Sequence, residues 1–292
     1  MLSALPRIDG SNDATALVDG VDDMIARVSA AWHGPSGPKL RLLPERIELD
    51  ALRAQAGAED RRVLLGVDEA QLAPFGIDTR KESHLFLYGD SGTGKSAFLR
   101  GIAQEIMRLY GPNEAKIFAV DYRRSLLGEI PSEYLGAYLT SHEPASSGMA
   151  ELSAFFGSRI PGPDVTPEQL RDRSWWKGAE GFVLVDDYDL VATSQGNPLA
   201  VLQPLLAQAA DVGLHVILTR RTGGASRAAY DPIIQRFTDL GVTGILLGGS
   251  PEEGPLIGRV KAAPAAPGRA QIVSREHGLI AAQLAFSPPR MR

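Results

Sequence analysis

A chain of 292 residues, 44% hydrophobic and 22% charged, has the composition of an ordinary globular protein and enough length to bury a core without disulfides or structural metals. Having no cysteine, it excludes disulfide, zinc-thiolate and iron–sulfur chemistry and fits a reducing compartment. A net charge of −5 and a pI near 5.6 argue against a chain that grips nucleic acid by itself. No run approaches the roughly 20 apolar residues that span a bilayer. The opening Met1 to Gly10 carries Asp9 and has no apolar core, so it does not read as a signal peptide.

Leu17, Val21, Met24, Ile25, Val28 and Trp32 line one face of an amphipathic helix, with capping chemistry in Ser11, Asn12 and Asp13. His33 to Pro38 breaks that helix and reads as a linker. Leu40, Leu42, Ile47 and Leu49 suggest an edge strand interrupted by Pro44, and Val63 to Gly66 another short strand. These signals divide the chain into an N-terminal helix and linker over 1–37 and a main domain over 38–292.

From residue 84 the pattern alternates strand and helix. Apolar runs at Leu85–Tyr88, Ile117–Asp121, Phe182–Asp186, Leu214–Leu218 and Gly244–Leu247 read as buried strands. Ser96 to Tyr110 and Leu199 to Ala209 have helical spacing, and Thr166-Pro167-Glu168-Gln169 forms a capping box with proline at the first helical position. Continuous apolar strands separated by helices imply an α/β fold whose mostly parallel sheet is covered on both faces. Gln271–Val273 and Leu279–Phe286 suggest a C-terminal β-hairpin, followed by a frayed end.

Gly89-Asp90-Ser91-Gly92-Thr93-Gly94-Lys95-Ser96 matches G-x-x-x-x-G-K-[ST] at every specified position. It follows an apolar strand and opens an amphipathic helix, as a phosphate-cradling loop must. Its glycines let successive amides, through Ala97, turn inward toward phosphate oxygens. Lys95 supplies charge to the β- and γ-phosphates, and the Ser96 hydroxyl can ligate Mg²⁺. The expected ligand is a nucleoside triphosphate, read as ATP. Phe182 to Asp187 ends a buried strand in an acidic pair. Asp186 is placed to hold the metal's water shell, and Asp187 stands where many ATPases carry a water-polarising glutamate. Thr219, at the end of the Leu214 strand, can reach toward the γ-phosphate. Arg220, Arg221, Arg227, Arg236 and Arg259 are all candidates for an arginine completing a site. Tyr122-Arg123-Arg124 reads as a solvated strand end, and Trp175-Trp176 as packing at a core edge.

In their order along the chain, these residues resemble the FtsK/SpoIIIE class of P-loop ATPases, over roughly residues 38 to 286. Gly213-Leu214-His215-Val216-Ile217-Leu218-Thr219 and Pro267-Gly268-Arg269-Ala270 narrow the resemblance to EccC-type ATPases of type VII secretion systems. The resemblance implies a RecA/FtsK-like P-loop fold, ATP with Mg²⁺, and a terminal domain that recruits small helical-hairpin substrates of the Esx type through a C-terminal signal. It further implies neighbouring ATPase domains in a hexameric ring, membrane-embedded secretion partners, and a cytoplasmic position peripheral to the inner membrane. Direct membrane insertion and nucleic acid are not expected. Asp186-Asp187 replaces the usual Asp-Glu, and Thr219-Arg220 the usual Thr-Gln, which points to slow hydrolysis. A DNA translocase and a non-hydrolysing nucleotide-bound interaction module are the alternatives.

Overall fold

The computed structural model describes residues 7–11, 13–35, 37 and 42–290, in two compact units, Met1–Arg41 and Leu42–Arg292. In the first unit, α1 (Leu17–Ala31) follows the apolar spacing. Its N-cap is Ala16, and no side chain caps it. Asp13 instead accepts from the amide and hydroxyl of Thr15, at 2.9 and 2.6 Å, and Asn12 lies outside the described residues. Arg7 closes this end. Its guanidinium donates to the carbonyls of Asp13 and Ala16, both at 2.9 Å, and lies against Gly20. Val18, Ile25 and Val28 of α1, and Trp32 just after it, are exposed.

The second unit begins without the expected edge strand. Glu48 makes one parallel bridge to Phe286, and Leu49 already opens α2 (Leu49–Ala56). Pro44 removes a ladder donor from this segment, and Leu40 lies outside the described residues. The strand β1 (Val63–Asp68) forms a hairpin with β2 (Pro74–Ile77). Next come β3 (His84–Tyr88), α3 (Lys95–Leu109), β4 (Ala115–Val120), β5 (Leu135–Leu139), α4 (His142–Gly157) and α5 (Pro167–Asp172). The capping box forms at α5: Thr166 and Gln169 exchange hydrogen bonds at 2.9 and 3.2 Å.

Then follow β6 (Glu180–Val185), α6 (Tyr188–Val191), a 3-10 helix (Pro198–Gln208), α7 (Ala209–Val212), β7 (Leu214–Arg220), α8 (Ala225–Ala228), α9 (Pro232–Leu240) and β8 (Thr243–Leu246). The segment expected as an α-helix from Leu199 is wound as 3-10 because Pro204 inside it has no amide to donate and crowds the preceding turn. A small sheet of β9 (Pro255–Ile257) and β10 (Val260–Lys261) precedes the expected hairpin, β11 (Arg269–Ser274) and β12 (Gly278–Leu284).

The main sheet has the order β2-β1-β12-β11-β8-β3-β7-β6-β4-β5. From β8 to β5 the pairs are parallel, and from β2 to β8 they are antiparallel. The terminal hairpin therefore lies inside the sheet, between β1 and β8. Alternate residues of one strand feed two cores. Leu85 and Leu87 pack with Leu99, Ile102 and Ile106 of α3, whereas Phe86 and Tyr88 pack with α4, the 3-10 helix and α9. Each such fully buried apolar side chain contributes about 1.5–3 kcal/mol, which is why the parallel strands read as unbroken apolar runs.

Of the end expected to fray, Arg290 is held in place, and Met291 and Arg292 lie outside the described residues. Ser287 is wholly buried. Its hydroxyl accepts from Gln104 at 2.7 Å and its carbonyl from Arg100 at 3.2 Å. The Arg290 amide donates to the Glu129 carboxylate at 3.2 Å.

Candidate functional site

Register brings the C-terminal ends of four parallel strands level with one another. Tyr88 of β3 faces Arg220 of β7, Leu218 of β7 faces Val185 of β6, and Val185 faces Val120 of β4. The crevice outside such strand ends is where open α/β sheets bind ligands. Each strand delivers its polar residues there: Gly89–Ser96 after β3, Thr219 in β7, Asp186 and Asp187 after β6, and Asp121 after β4.

The glycine-rich loop has the backbone its sequence implies. Gly92 (φ 78°) and Gly94 (φ 113°) take left-handed conformations, and a Cβ on either would meet open space. The glycines are therefore required by backbone conformation and not by crowding. Gly94 is the N-cap of α3, with no side chain capping the helix, so the first amides of α3 face the loop. Lys95 is 8% exposed. Its Nζ donates to the Asp90 carbonyl at 3.2 Å and lies 3.5 Å from Oδ1 of Asp187. The Asp90 carboxylate accepts from the Thr222 hydroxyl. Ser91 and Gly92 are exposed, and Thr93 and Ala97 are half-buried.

Ser96 and Asp186, 90 positions apart in sequence, are in direct contact. The Ser96 hydroxyl donates to Oδ2 of Asp186 at 2.8 Å. Two further hydroxyls converge on this carboxylate: Thr219 donates to Oδ1 at 2.8 Å, and Ser125 reaches Oδ2. Ser125 also lies 3.3 Å from Oδ1 of Asp121, a wholly buried carboxylate whose Oδ2 accepts from the Leu126 amide and the Tyr138 hydroxyl. Burial and this carboxylate push the Tyr138 phenol far up, so it stays a donor.

Asp187 is 5% exposed and holds a left-handed backbone (φ 47°), unusual for a residue with a side chain. Its amide donates to the Thr219 hydroxyl at 3.2 Å. Its carboxylate lies between two cations: Lys95 beside Oδ1, and Nε of Arg123 at 3.0 Å from Oδ2. Arg123 is thus not simply a solvated strand end. Of the five arginines singled out in the sequence, Arg220 donates to the carbonyls of Arg221 and Gly224, and Arg221 pairs with Asp189 at 3.6 Å. Arg227 and Arg259 are exposed and Arg236 is half-buried. Trp175 and Trp176 are tied down by indole donation to the carbonyls of Arg159 and Asp211.

Beside the loop lies a cavity of about 630 Å³, lined by Gly92, Thr93, Gly94, Phe98, Leu247 and the Pro267-Gly268-Arg269 turn, with Phe286 and Arg46 at its edge. The Arg46 guanidinium sits 4.0 Å over the Phe286 ring. The donor set suits a hard cation with an anion. A hydroxyl and a carboxylate, both oxygen donors, meet at the foot of an amide-lined loop beside a buried ammonium. Of the residues singled out in the sequence, the structure brings Lys95, Ser96, Asp186, Asp187 and Thr219 together. Asp121, Ser125 and Arg123, which sequence reasoning did not assign to the site, follow the end of β4, the strand beside β6, and carry no motif.

Fold and site together define a P-loop ATPase. The EccC protein of an ESX secretion system from Thermomonospora curvata is 43% identical over 98% of this chain. Two solved structures of that organism's EccC, its cytoplasmic domain and its ATPases 2 and 3 in complex with a signal sequence peptide, each match 99% of this chain at 42% identity and a TM-score of 0.86. The chain belongs to the EccC family of type VII secretion ATPase domains. It spans 22% of the curated relative, and 33% and 52% of the two solved chains. No protein-family profile matches it.

Proposed function

We propose that this domain binds ATP with Mg²⁺ at Gly89–Ala97 and serves a type VII secretion motor by recruiting a small secreted substrate through its C-terminal signal. The observation that carries the nucleotide reading is the 2.8 Å contact between Ser96 and Asp186, with Lys95 beside them. Ser96 and Asp186 would hold Mg²⁺, which would supply positive charge to offset that of the phosphates. Lys95 turns from the Asp90 carbonyl to the phosphates, while the amides from Asp90 to Ala97 close around them. The adenosine part is assigned to the cavity between the loop and the Pro267-Gly268-Arg269 turn, where Phe286 offers a ring face and Arg46 a cation.

Hydrolysis on this reading is slow. Asp187 is one methylene shorter than the glutamate of rapid ATPases, and both its oxygens face cations. A carboxylate held between two cations in that way is not free to orient an attacking water. Thr219 acts by holding Asp186 and the Asp187 amide in place. Substrate recruitment is supported by the related EccC solved with a signal sequence peptide. The working form is a ring of such domains on the cytoplasmic side, joined to membrane-embedded secretion components. Among the described residues, no helix is long and apolar enough to cross a membrane.

Titration calorimetry tests the core of this proposal. ATP with Mg²⁺ should bind the wild-type chain, and removal of Mg²⁺ should weaken it. A signal-bearing tail of a co-encoded small substrate should bind the full secretion ATPase. Absence of nucleotide binding in the folded chain would falsify the site assignment.

A further inference from the structure

Two cations converge on the Asp187 carboxylate, and the loop motif accounts for only one of them. Lys95 belongs to the phosphate loop. Arg123 comes from the turn after β4 and meets the other carboxylate oxygen, its Nε 3.0 Å from Oδ2. Asp187 is nearly buried, and its Oδ1 has no hydrogen-bond partner. The arginine side chain is 48% exposed, so it can be withdrawn from the pair at little cost. By contrast, Arg220 and Arg221 are engaged by backbone carbonyls and Asp189.

The geometry points to Arg123 as a residue of this same chain that binds the terminal phosphate of the nucleotide, exchanging Asp187 for the γ-phosphate when a triphosphate occupies the loop. The inference rests on the nucleotide reading above. Its physical basis is competition for one guanidinium. A half-exposed ion pair with a single carboxylate is weak, whereas a γ-phosphate offers more negative charge and several acceptor oxygens. A diphosphate offers no such group. Arg123 therefore discriminates triphosphate from diphosphate, and its departure changes the surroundings of Asp187. Because Arg123 and Ser125 share the turn after β4, the nucleotide's state is felt where Ser125 meets Asp186.

The test compares wild type with Arg123→Gln and Arg123→Lys, each checked for folding by circular dichroism. Dissociation constants are measured by calorimetry for a non-hydrolysable ATP analogue and for ADP, both with Mg²⁺. Loss of one charge-assisted contact predicts a fall of about tenfold or more for the ATP analogue in Arg123→Gln. ADP affinity should stay within about twofold, since no contact to it is lost. Arg123→Lys should recover part of the loss. The same substitution is then made in an Asp187→Asn background. A persistent ATP-selective loss supports direct phosphate contact, and its disappearance overturns the inference, because Arg123 would then only neutralise Asp187. Equal losses for both nucleotides, or none, also overturn it. A folded wild-type chain that binds neither nucleotide would overturn the nucleotide reading and this inference together.

Discussion

The Thr219 hydroxyl lies 2.8 Å from Oδ1 of Asp186 and also receives the Asp187 amide at 3.2 Å. One side chain at the end of β7 thereby fixes both acidic residues at the end of β6. Thr219→Val removes this anchor while keeping the branched shape. It should weaken Mg²⁺-dependent nucleotide binding by a few-fold to about tenfold, the net value of a typical hydrogen bond, since Asp186 keeps its other hydroxyl partners. Binding measured without Mg²⁺ should change little. An equal loss in both conditions would show that Thr219 acts on something other than the metal-side carboxylate.

Lys95→Ala removes the only ammonium at the loop's foot among the described residues. The loss of a charge-assisted contact to phosphate is worth about 1.5–3 kcal/mol, or roughly 10- to 150-fold in ATP affinity. Unchanged ATP affinity in a folded Lys95→Ala variant would defeat this prediction.

Glu105 is wholly buried and ties three elements together. It pairs with Arg53 of α2 and with Arg108 of its own helix, both at 2.7 Å, and accepts the Leu64 amide of β1 at 3.0 Å. Glu105→Leu leaves the buried Leu64 amide without its acceptor and takes one partner from each of two half-buried guanidiniums, which keep Asp50 and the carbonyls of Asp60 and Arg62. Leaving a buried donor unsatisfied costs about 1–3 kcal/mol. Urea denaturation should show a lower midpoint, with nucleotide affinity of the remaining folded protein retained.

His84 sits between the Leu206 carbonyl on Nε2 and the Val216 amide on Nδ1, stacked 5.1 Å from Phe237. Burial pushes its pKa down to about 4. The ring is therefore neutral in the fold through the range in which the unfolded chain's histidine takes a proton. Stability from this site is complete above the ordinary histidine value of about 6.5 and falls as pH drops toward 4, by up to about 1.4 kcal/mol per pH unit. In a folded His84→Gln variant, the stability–pH curve from calorimetry should be flatter over that window. An unaltered slope would mean that other groups carry the acid sensitivity.

The loop, the acidic pair and the parallel strands are legible in the sequence because their signals are local. An apolar run, a glycine spacing and a terminal carboxylate each lie within a few residues of one another. The hairpin β11–β12 was legible for the same reason. By contrast, β2, β5 and the pair β9–β10 are short, and α4 is disguised by its small and polar residues. Its buried Ala145, Met149, Leu152 and Phe156 do recur at helical spacing, a signal that was there to be read. The 3-10 winding falls where Pro204 interrupts the helical spacing. At the site, Asp121, Ser125 and Arg123 depend on β4 lying beside β6. That adjacency is set by sheet order, not by any pattern in the neighbouring sequence.

The place of β12 in the sheet has a bearing on how the molecule is made. Val67, near the start of the main unit, pairs with Gln283, close to its end. During translation the β1–β2 ribbon must wait for almost the entire unit to emerge, roughly 10–40 s at ordinary elongation rates, with one edge unsatisfied. Nascent chains stalled before β12 are therefore the form most in need of chaperone cover.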